Sequence, residues 1–213
     1  KRHDPYKDGS RIDLPRMQDG KLDGVFMAVF VGQRERTKDG NILAKKKALQ
    51  IFDSIYSVLE NHPGQLALAT TQDEFEKNSR KNKHSIFIGI ENGYPIGNDV
   101  SLIDTFYNLG ARYITLCHTL NNDICDSSTD PDGPEFNGLS EFGYKVVKRM
   151  NELGMMIDVS HASDEAFYDV IKASTKPVIA SHSCARALCD NPRNLDDDML
   201  KALAKNGGVI QMC

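Results

Sequence analysis

Hydrophobic residues in this chain form short, nearly continuous runs, separated by segments with helical periodicity. Residues 43–60 show that periodicity, with apolar side chains at Ala44, Ala48, Ile51, Ile55 and Leu59. This spacing predicts an amphipathic helix. The apolar runs between such segments alternate poorly with polar residues, so both faces of their strands are expected to be buried. The predicted strands cover 22–31, 85–91, 112–118, 155–161, 177–183 and 208–213.

Each predicted strand except the last is followed by a predicted helix, and capping residues mark several helix starts. Thr71 and Glu74 form a capping box, while Ser140 and Ser163 are N-cap residues of later helices. The predicted helices cover 43–60, 71–82, 99–109, 140–153, 163–174 and 195–205. A polar connection over 121–138 is long for a compact domain, which is typical of a functional or mobile loop.

This alternation favours the α/β class with a parallel sheet. A dinucleotide-binding fold is not supported, because no G-x-G-x-x-G motif follows a strand, and the chain has no P-loop motif either. A (β/α)8 TIM barrel takes about 250 residues and eight strands. The sequence therefore predicts an incomplete TIM barrel that lacks the first and eighth strands, as a single domain over 1–213.

Composition narrows the class of partners. The net charge is −4, from 26 basic and 30 acidic residues, which argues against nucleic-acid binding. The longest apolar run, 25–31, is far shorter than the roughly 20 residues of a membrane span. Five cysteines without a C-x-x-C motif favour free thiols and a cytoplasmic location. Export stays open, because the sequence starts at Lys1 rather than at Met.

Four successive predicted strands end in a residue that suits metal or acid–base chemistry. These residues are Glu91, His118, His161 and His182. The carboxyl ends of barrel strands share one rim, and neighbouring strands lie about 4.8 Å apart, so the four side chains are expected to converge. Imidazole and carboxylate donors without thiolate suit zinc or a similar divalent ion. The alternative is that each histidine is a hydrogen-bonded structural residue.

Three further residues have open interpretations. Asp158 and Asp126 are candidates for orienting the imidazoles, and Asp126 is equally compatible with a turn in the long loop. Arg193 follows the strand of His182 and suits a bidentate contact with a carboxylate. Taken alone, Arg193 is also compatible with an ordinary surface position.

These motifs resemble the renal, or membrane, dipeptidase family over almost the whole chain. The segments that carry the resemblance are IDLPRMQDGKLDGVFMAVFV (12–31), FIGIENG (87–93), LGARYITLCHTLNNDICDSS (109–128), MNELGMMIDVSHAS (150–163), PVIASHSCAR (177–186) and NPRNLDDDMLKALAKNGG (191–208). The resemblance implies an amidohydrolase-type TIM barrel with two zinc ions that hydrolyses dipeptides. It leaves open a homodimer.

The resemblance also implies a role for each matching residue. Glu91 would bridge both zinc ions, and His161 and His182 would bind the second zinc ion. His118 would contact the substrate and help to stabilise the tetrahedral intermediate. Arg193 would hold the C-terminal carboxylate of the dipeptide, which limits substrates to two residues.

The chain also departs from the family pattern. The His-x-Asp pair of the family's first strand is absent, and the aspartate of the eighth strand would lie beyond Cys213. Asn92 and Tyr94 stand where the family commonly has Gly and His, which puts the substrate preference in doubt. We therefore expect one largely intact zinc site and an inactive fragment. The rival interpretation is a catalytically silent barrel that keeps a binding rim. A Schiff-base aldolase is excluded, because no strand ends in Lys.

Overall fold

A computed structural model describes residues 11–213 of the chain; residues 1–10 of the predicted domain lie outside the described residues. Seven parallel strands form one sheet. The strands are β1 (Gly24–Phe30), β2 (Leu66–Leu68), β3 (His84–Glu91), β4 (Ala111–Thr115), β5 (Met156–Asp158), β6 (Ile179–Ser183) and β7 (Val209–Met212). Six of them follow the order β1-β3-β4-β5-β6-β7, which confirms the α/β class and an incomplete TIM barrel.

Seven α-helices connect or precede these strands in the described part of the chain. They are α1 (Leu14–Asp19), α2 (Lys38–Asn61), α3 (Gln72–Ser79), α4 (Ser101–Asn108), α5 (Glu141–Leu153), α6 (Asp164–Ala173) and α7 (Asp197–Asn206). The side chains of Thr71, Ser140 and Ser163 accept N–H bonds at the starts of α3, α5 and α6, as predicted. Gly154 and Gly207 end α5 and α7 in the left-handed conformation. No described helix has the length and apolar character of a membrane span.

The short strand β2 was not predicted. It pairs only with the first residues of β3, where Leu66 lies opposite His84 and Leu68 lies opposite Ile86. Three residues are too few to show a periodicity of their own. The strand exists because β3 extends beyond the start of β4 and offers backbone partners there.

The core lies on both faces of the sheet. Ile86, Ile88 and Ile90 lie on one face of β3 and are fully buried, and Ser85 and Gly89 on the opposite face are buried too, as expected for a strand covered on two sides. The helices α2, α4, α5 and α6 contribute buried apolar side chains to the same core, including Phe52, Phe106, Met150 and Phe167.

Two strands end three residues earlier than predicted, which changes how two histidines are held. The predictions for 112–118 and 155–161 were too long, because β4 ends at Thr115 and β5 ends at Asp158. His118 and His161 therefore lie in the loops three residues beyond the strands. The backbone of His161 is left-handed, with φ of 73°, a conformation that no strand accommodates.

Candidate metal centre

Glu91 lies at the centre of the cluster formed by the strand ends. It is the last residue of β3 and pairs with Phe30 on one side and Thr115 on the other. Its Oε1 atom lies 3.5 Å from His182 Nε2, 3.6 Å from His118 Nε2 and 3.9 Å from His161 Nε2. One carboxylate oxygen therefore faces all three imidazoles.

His161 and His182 complete a group with the geometry of a metal site. Their Nε2 atoms are 2.9 Å apart. The donor atoms of Glu91, His161 and His182 all lie within 4.8 Å of one another, and this is the only such group in residues 11–213. Distances of this size allow the three donors to share one ion, as the pattern of strand ends predicted.

The loop after β5 fixes His161. Its carbonyl oxygen accepts a 2.8 Å hydrogen bond from the backbone N–H of Ser128, and its ring lies 4.0 Å from the ring of His118 between centroids. Burial lowers the pKa of His161 to about 2, and Arg193, His118 and His182 act in the same direction. The imidazole is thus neutral at physiological pH, which is the form that binds a metal.

His118 lies beside the three donors rather than among them. Its Nδ1 atom lies 2.9 Å from the hydroxyl of Thr119, and its backbone carbonyl accepts a hydrogen bond from Ser127 Oγ. Phe30 packs against the ring at 4.9 Å between centroids. Burial lowers the pKa of His118, while the carboxylate of Glu91 opposes that shift.

Arg193 faces the same cluster from the loop after β6. Its Nη2 atom donates a 3.2 Å hydrogen bond to the backbone carbonyl of His182, and its backbone N–H donates to Asn191 Oδ1. Burial lowers the pKa of Arg193, whereas Glu91 and Asp158 are among the groups that favour its charge. Arg193 is half-buried and bonded to His182, which favours a role in the site over the ordinary surface position that the sequence left open.

The carboxylate of Asp126 organises the long loop. It accepts hydrogen bonds from the backbone N–H groups of Glu135, Phe136 and Gly138. No imidazole is among its hydrogen-bond partners in the described residues, so the prediction that Asp126 orients one was wrong and the turn interpretation is correct. From outside the loop, Arg36 pairs with Asp123 and Glu135, joining it to the segment after β1.

Asp158 does not contact an imidazole directly either. Its Oδ2 atom accepts hydrogen bonds from Thr115 Oγ1 at 2.6 Å and from Ser181 Oγ at 2.5 Å. Ser181 Oγ in turn lies 2.7 Å from His182 Nδ1. Sequence reasoning missed Ser181, although a serine directly precedes both His161 and His182 in the sequence.

The donor set fits a divalent ion such as zinc. Two imidazole nitrogens and one carboxylate oxygen are the donors of open zinc sites in hydrolases, and no cysteine takes part. His161 is held neutral, and His182 presents Nε2 to the cluster. The arrangement therefore offers three protein donors around one point, with Arg193 nearby as a fixed positive charge.

Comparisons with known proteins agree with this chemistry. A family model described as membrane dipeptidase, peptidase family M19, matches residues 4–213. The chain is 36% identical over 209 residues to dipeptidase verJ of Clonostachys rogersoniana, covering 95% of this chain and 54% of that protein. It is 36% identical over 205 residues to dipeptidase 3 of Homo sapiens, covering 95% of this chain and 40% of that protein. The chain spans about half the length of the curated relatives it matches.

Solved structures show the same fold. The probable dipeptidase PvdM from Pseudomonas aeruginosa superposes with a TM-score of 0.91 at 32% identity, over 97% of this chain and 54% of that chain. A metallo peptidase from Rhodobacter sphaeroides, liganded with a phosphinate mimic of the dipeptide L-Ala-D-Ala, gives a TM-score of 0.86 at 25% identity, over 96% of this chain and 65% of that chain. On this evidence the chain belongs to the membrane dipeptidase family, peptidase family M19.

Proposed function

We propose that the protein is a zinc-dependent dipeptidase. The observation that carries the proposal is the group formed by Glu91, His161 and His182, which lies at the carboxyl edge of the sheet. Arg193 lies beside the group and supplies a positive charge suited to a free carboxylate. Relatives named dipeptidases, and a metallo peptidase solved with a dipeptide mimic, support this choice of substrate.

The ligands would hold the ion in an open site. When bound, zinc supplies Lewis-acid polarisation of a peptide carbonyl and acidifies water. His161 and His182 would each offer Nε2, and Glu91 would offer Oε1. The second carboxylate oxygen of Glu91 gives it the means to bridge to a second ion, as the family resemblance implies.

His118 would act on the substrate rather than on the ion. Thr119 Oγ1 lies 2.9 Å from Nδ1, and the tautomer that suits this role has the hydroxyl donating to Nδ1 and the ring proton on Nε2. That N–H would donate a hydrogen bond to the carbonyl oxygen of the scissile bond as negative charge develops there. A neutral ring suits this role, and burial lowers the pKa of His118 accordingly.

Arg193 would fix which peptide bond of the substrate is cleaved. Its guanidinium is anchored to the backbone of His182, so its position relative to the metal ligands is fixed. A carboxylate held by this guanidinium would place the last peptide bond of the substrate at the metal ligands, and in a dipeptide that is the only peptide bond. The homodimer and the cytoplasmic location stay predictions from the sequence.

The test is hydrolysis by the zinc-loaded protein. We expect a form that spans the length of the relatives to release free amino acids from dipeptides but not from tripeptides, and to lose this activity in His182→Ala. His62→Ala, at the exposed end of α2, is the matched control and should leave the rate unchanged. Zinc binding without hydrolysis of any dipeptide would support the catalytically silent barrel instead. That outcome would also be expected if the 213-residue chain were inactive by itself, so the longest available form of the protein is assayed in parallel.

A further inference from the structure

The carboxylate of Asp158 joins three neighbouring strands below the metal ligands. The residue ends β5 and is fully buried. Thr115 of β4 donates a hydroxyl hydrogen bond to Oδ2, and Ser181 of β6 donates another. The backbone N–H groups of Ser160 and Ser181 donate to Oδ1 at 3.0 Å and 2.9 Å. Each oxygen of the carboxylate thus accepts two hydrogen bonds, which compensates its removal from water.

This arrangement fixes the direction of the hydrogen bonds that reach His182. The hydroxyl of Ser181 has one proton, and the 2.5 Å contact with Asp158 Oδ2 requires that proton. Ser181 Oγ must then accept a hydrogen bond from His182 Nδ1, which lies 2.7 Å away. With its proton on Nδ1, the neutral ring presents an unprotonated Nε2 to the cluster.

We propose that Asp158 and Ser181 are positioning residues that hold His182 in its metal-binding tautomer. The inference rests on the proposed function, in which His182 Nε2 binds the ion. Asp158 acts through the hydroxyl of Ser181 and touches neither the ion nor the substrate. Metal-binding histidines commonly donate their second ring N–H to such a partner, which orients the ring and fixes the tautomer.

The other imidazole ligand lacks such support. His161 Nδ1 is buried and has no hydrogen-bond partner among the described residues. Its ring is held instead by the left-handed backbone, by packing against His118 and by the 2.9 Å contact between its Nε2 and His182 Nε2. The two histidines are thus positioned by different means, and only His182 depends on a chain of side-chain hydrogen bonds. This asymmetry makes His182 the ligand on which the proposal can be tested.

The first experiment measures the tautomer of His182 in the metal-free protein. At neutral to slightly alkaline pH, imidazole 15N chemical shifts distinguish a protonated ring nitrogen from an unprotonated one. We expect an unprotonated Nε2 in the wild type, a mixture of tautomers in Ser181→Ala, and recovery in Ser181→Thr. Ser183→Ala is the matched control, because Ser183 lies on the same strand, is buried, and its hydroxyl has no hydrogen-bond partner in the described structure.

The second experiment measures zinc affinity by competition with a chromogenic chelator. Loss of a partner that orients a ligand typically lowers metal affinity by about 10- to 100-fold. We expect a loss of this size in Ser181→Ala and Asp158→Asn, and wild-type affinity in Ser183→Ala and Ser181→Thr. If Asp158→Asn fails to fold, Ser181→Ala alone tests the positioning role. This variant is expected to fold, because Thr115 and two backbone N–H groups still donate hydrogen bonds to Asp158.

The outcomes separate this inference from the proposed function. If Ser181→Ala keeps both the wild-type tautomer and the wild-type zinc affinity, the positioning role is overturned while the metal centre stands. If the wild-type protein binds no zinc, the proposed function fails, and the tautomer measurement still decides whether Ser181 controls the ring of His182. If Ser181→Ala and Ser183→Ala changed the tautomer and the zinc affinity equally, both effects would be explained by lost packing, and the inference would be overturned.

Discussion

The guanidinium of Arg193 and the backbone carbonyl of His182 are joined by a hydrogen bond of 3.2 Å. The residue proposed to bind the substrate carboxylate is therefore anchored on a residue proposed to bind the metal. The scissile carbonyl and the C-terminal carboxylate of a dipeptide would be held by groups whose separation is fixed by this contact with β6. A rigid separation of this kind selects the C-terminal peptide bond, because only that bond lies one residue from the free carboxylate.

Replacement of Arg193 should weaken binding of dipeptides. In Arg193→Ala we expect a loss of about 1.5–3 kcal/mol in kcat/KM, the size of a hydrogen bond to a charged group, or roughly 10- to 100-fold. A dipeptide amide lacks the carboxylate and should be affected far less. Arg80→Ala, at the exposed residue that follows α3, controls for the loss of one positive charge. Equal losses on the acid and the amide would contradict the assigned role.

Zinc titration should reveal one tight site per 213-residue chain. The described residues hold one group of three donors, made by Glu91, His161 and His182. His161→Ala should abolish tight binding, because two remaining donors are fewer than zinc sites in proteins normally have. His62→Ala should bind as the wild type does. A stoichiometry of two tight sites, measured by calorimetry, would show that residues outside this group complete a second site.

The stability of the metal-free protein should fall as the pH drops below about 6.5. Burial lowers the pKa of His161 from 6.5 to about 2, and Arg193, His118 and His182 add to the shift. The carboxylate of Glu91 faces the same ring, with its Oε1 atom 3.9 Å from Nε2. Between these values the unfolded chain binds a proton that the native protein does not, so acid favours unfolding. Thermal midpoints at about pH 7.5 and about pH 5.5 measure the effect.

The variant His161→Asn isolates this contribution. Its thermal midpoint should decline less between the two pH values than that of the wild type, because no imidazole is buried at the position. His62→Asn, at the exposed end of α2, should keep the wild-type decline. An unchanged decline in His161→Asn would assign the acid sensitivity to other groups.

Gly89 should be intolerant of a side chain because of Tyr113. A Cβ atom at Gly89 would lie 2.0 Å from Cε1 of the Tyr113 ring, which packs across the neighbouring strand. Gly89→Ala should destabilise the protein by about 1–3 kcal/mol, the usual cost of overpacking. The cost should shrink in the background of Tyr113→Ala, and denaturant unfolding of the double-mutant cycle measures the coupling.

A control for this prediction lies in the turn before β2. A Cβ atom at Gly64 would meet nothing within 4 Å, so Gly64→Ala should leave the free energy of unfolding nearly unchanged. Additive costs of Gly89→Ala and Tyr113→Ala would show that the ring is not the obstacle.

The sequence was sufficient to predict the parts of the site that depend on the alternation of strands and helices. Glu91 and His182 lie on strands whose apolar runs stop at the edge of the sheet, and that pattern is visible without a structure. The sequence predicted His161 in the right cluster but at the end of a strand, whereas the residue lies in the loop after β5. Its left-handed φ is imposed by the loop, where Ser128 and Ser127 pair with the segment after β5, and no local pattern reveals such long-range pairing.

The contacts between neighbouring strands could not be predicted from the sequence pattern in the same way. The link from Asp158 to Ser181 depends on the register of β5 against β6, where Asp158 lies opposite Ile179. A shift by one residue would turn Ser181 to the other face of its strand. The strand β2 was missed for a related reason, because it is defined by its partner β3 rather than by its own three residues.

The positions of the metal ligands in the sheet also bear on folding kinetics. Glu91 ends β3, whereas His161 follows β5, so the donors meet only after β4 has been inserted between these strands. Contacts of such high sequence separation are costly to close and form late. A divalent ion that binds Glu91 and His161 would stabilise the native state without assisting the early steps of folding. In a kinetic experiment, binding of the ion should slow unfolding and leave the folding rate almost unchanged.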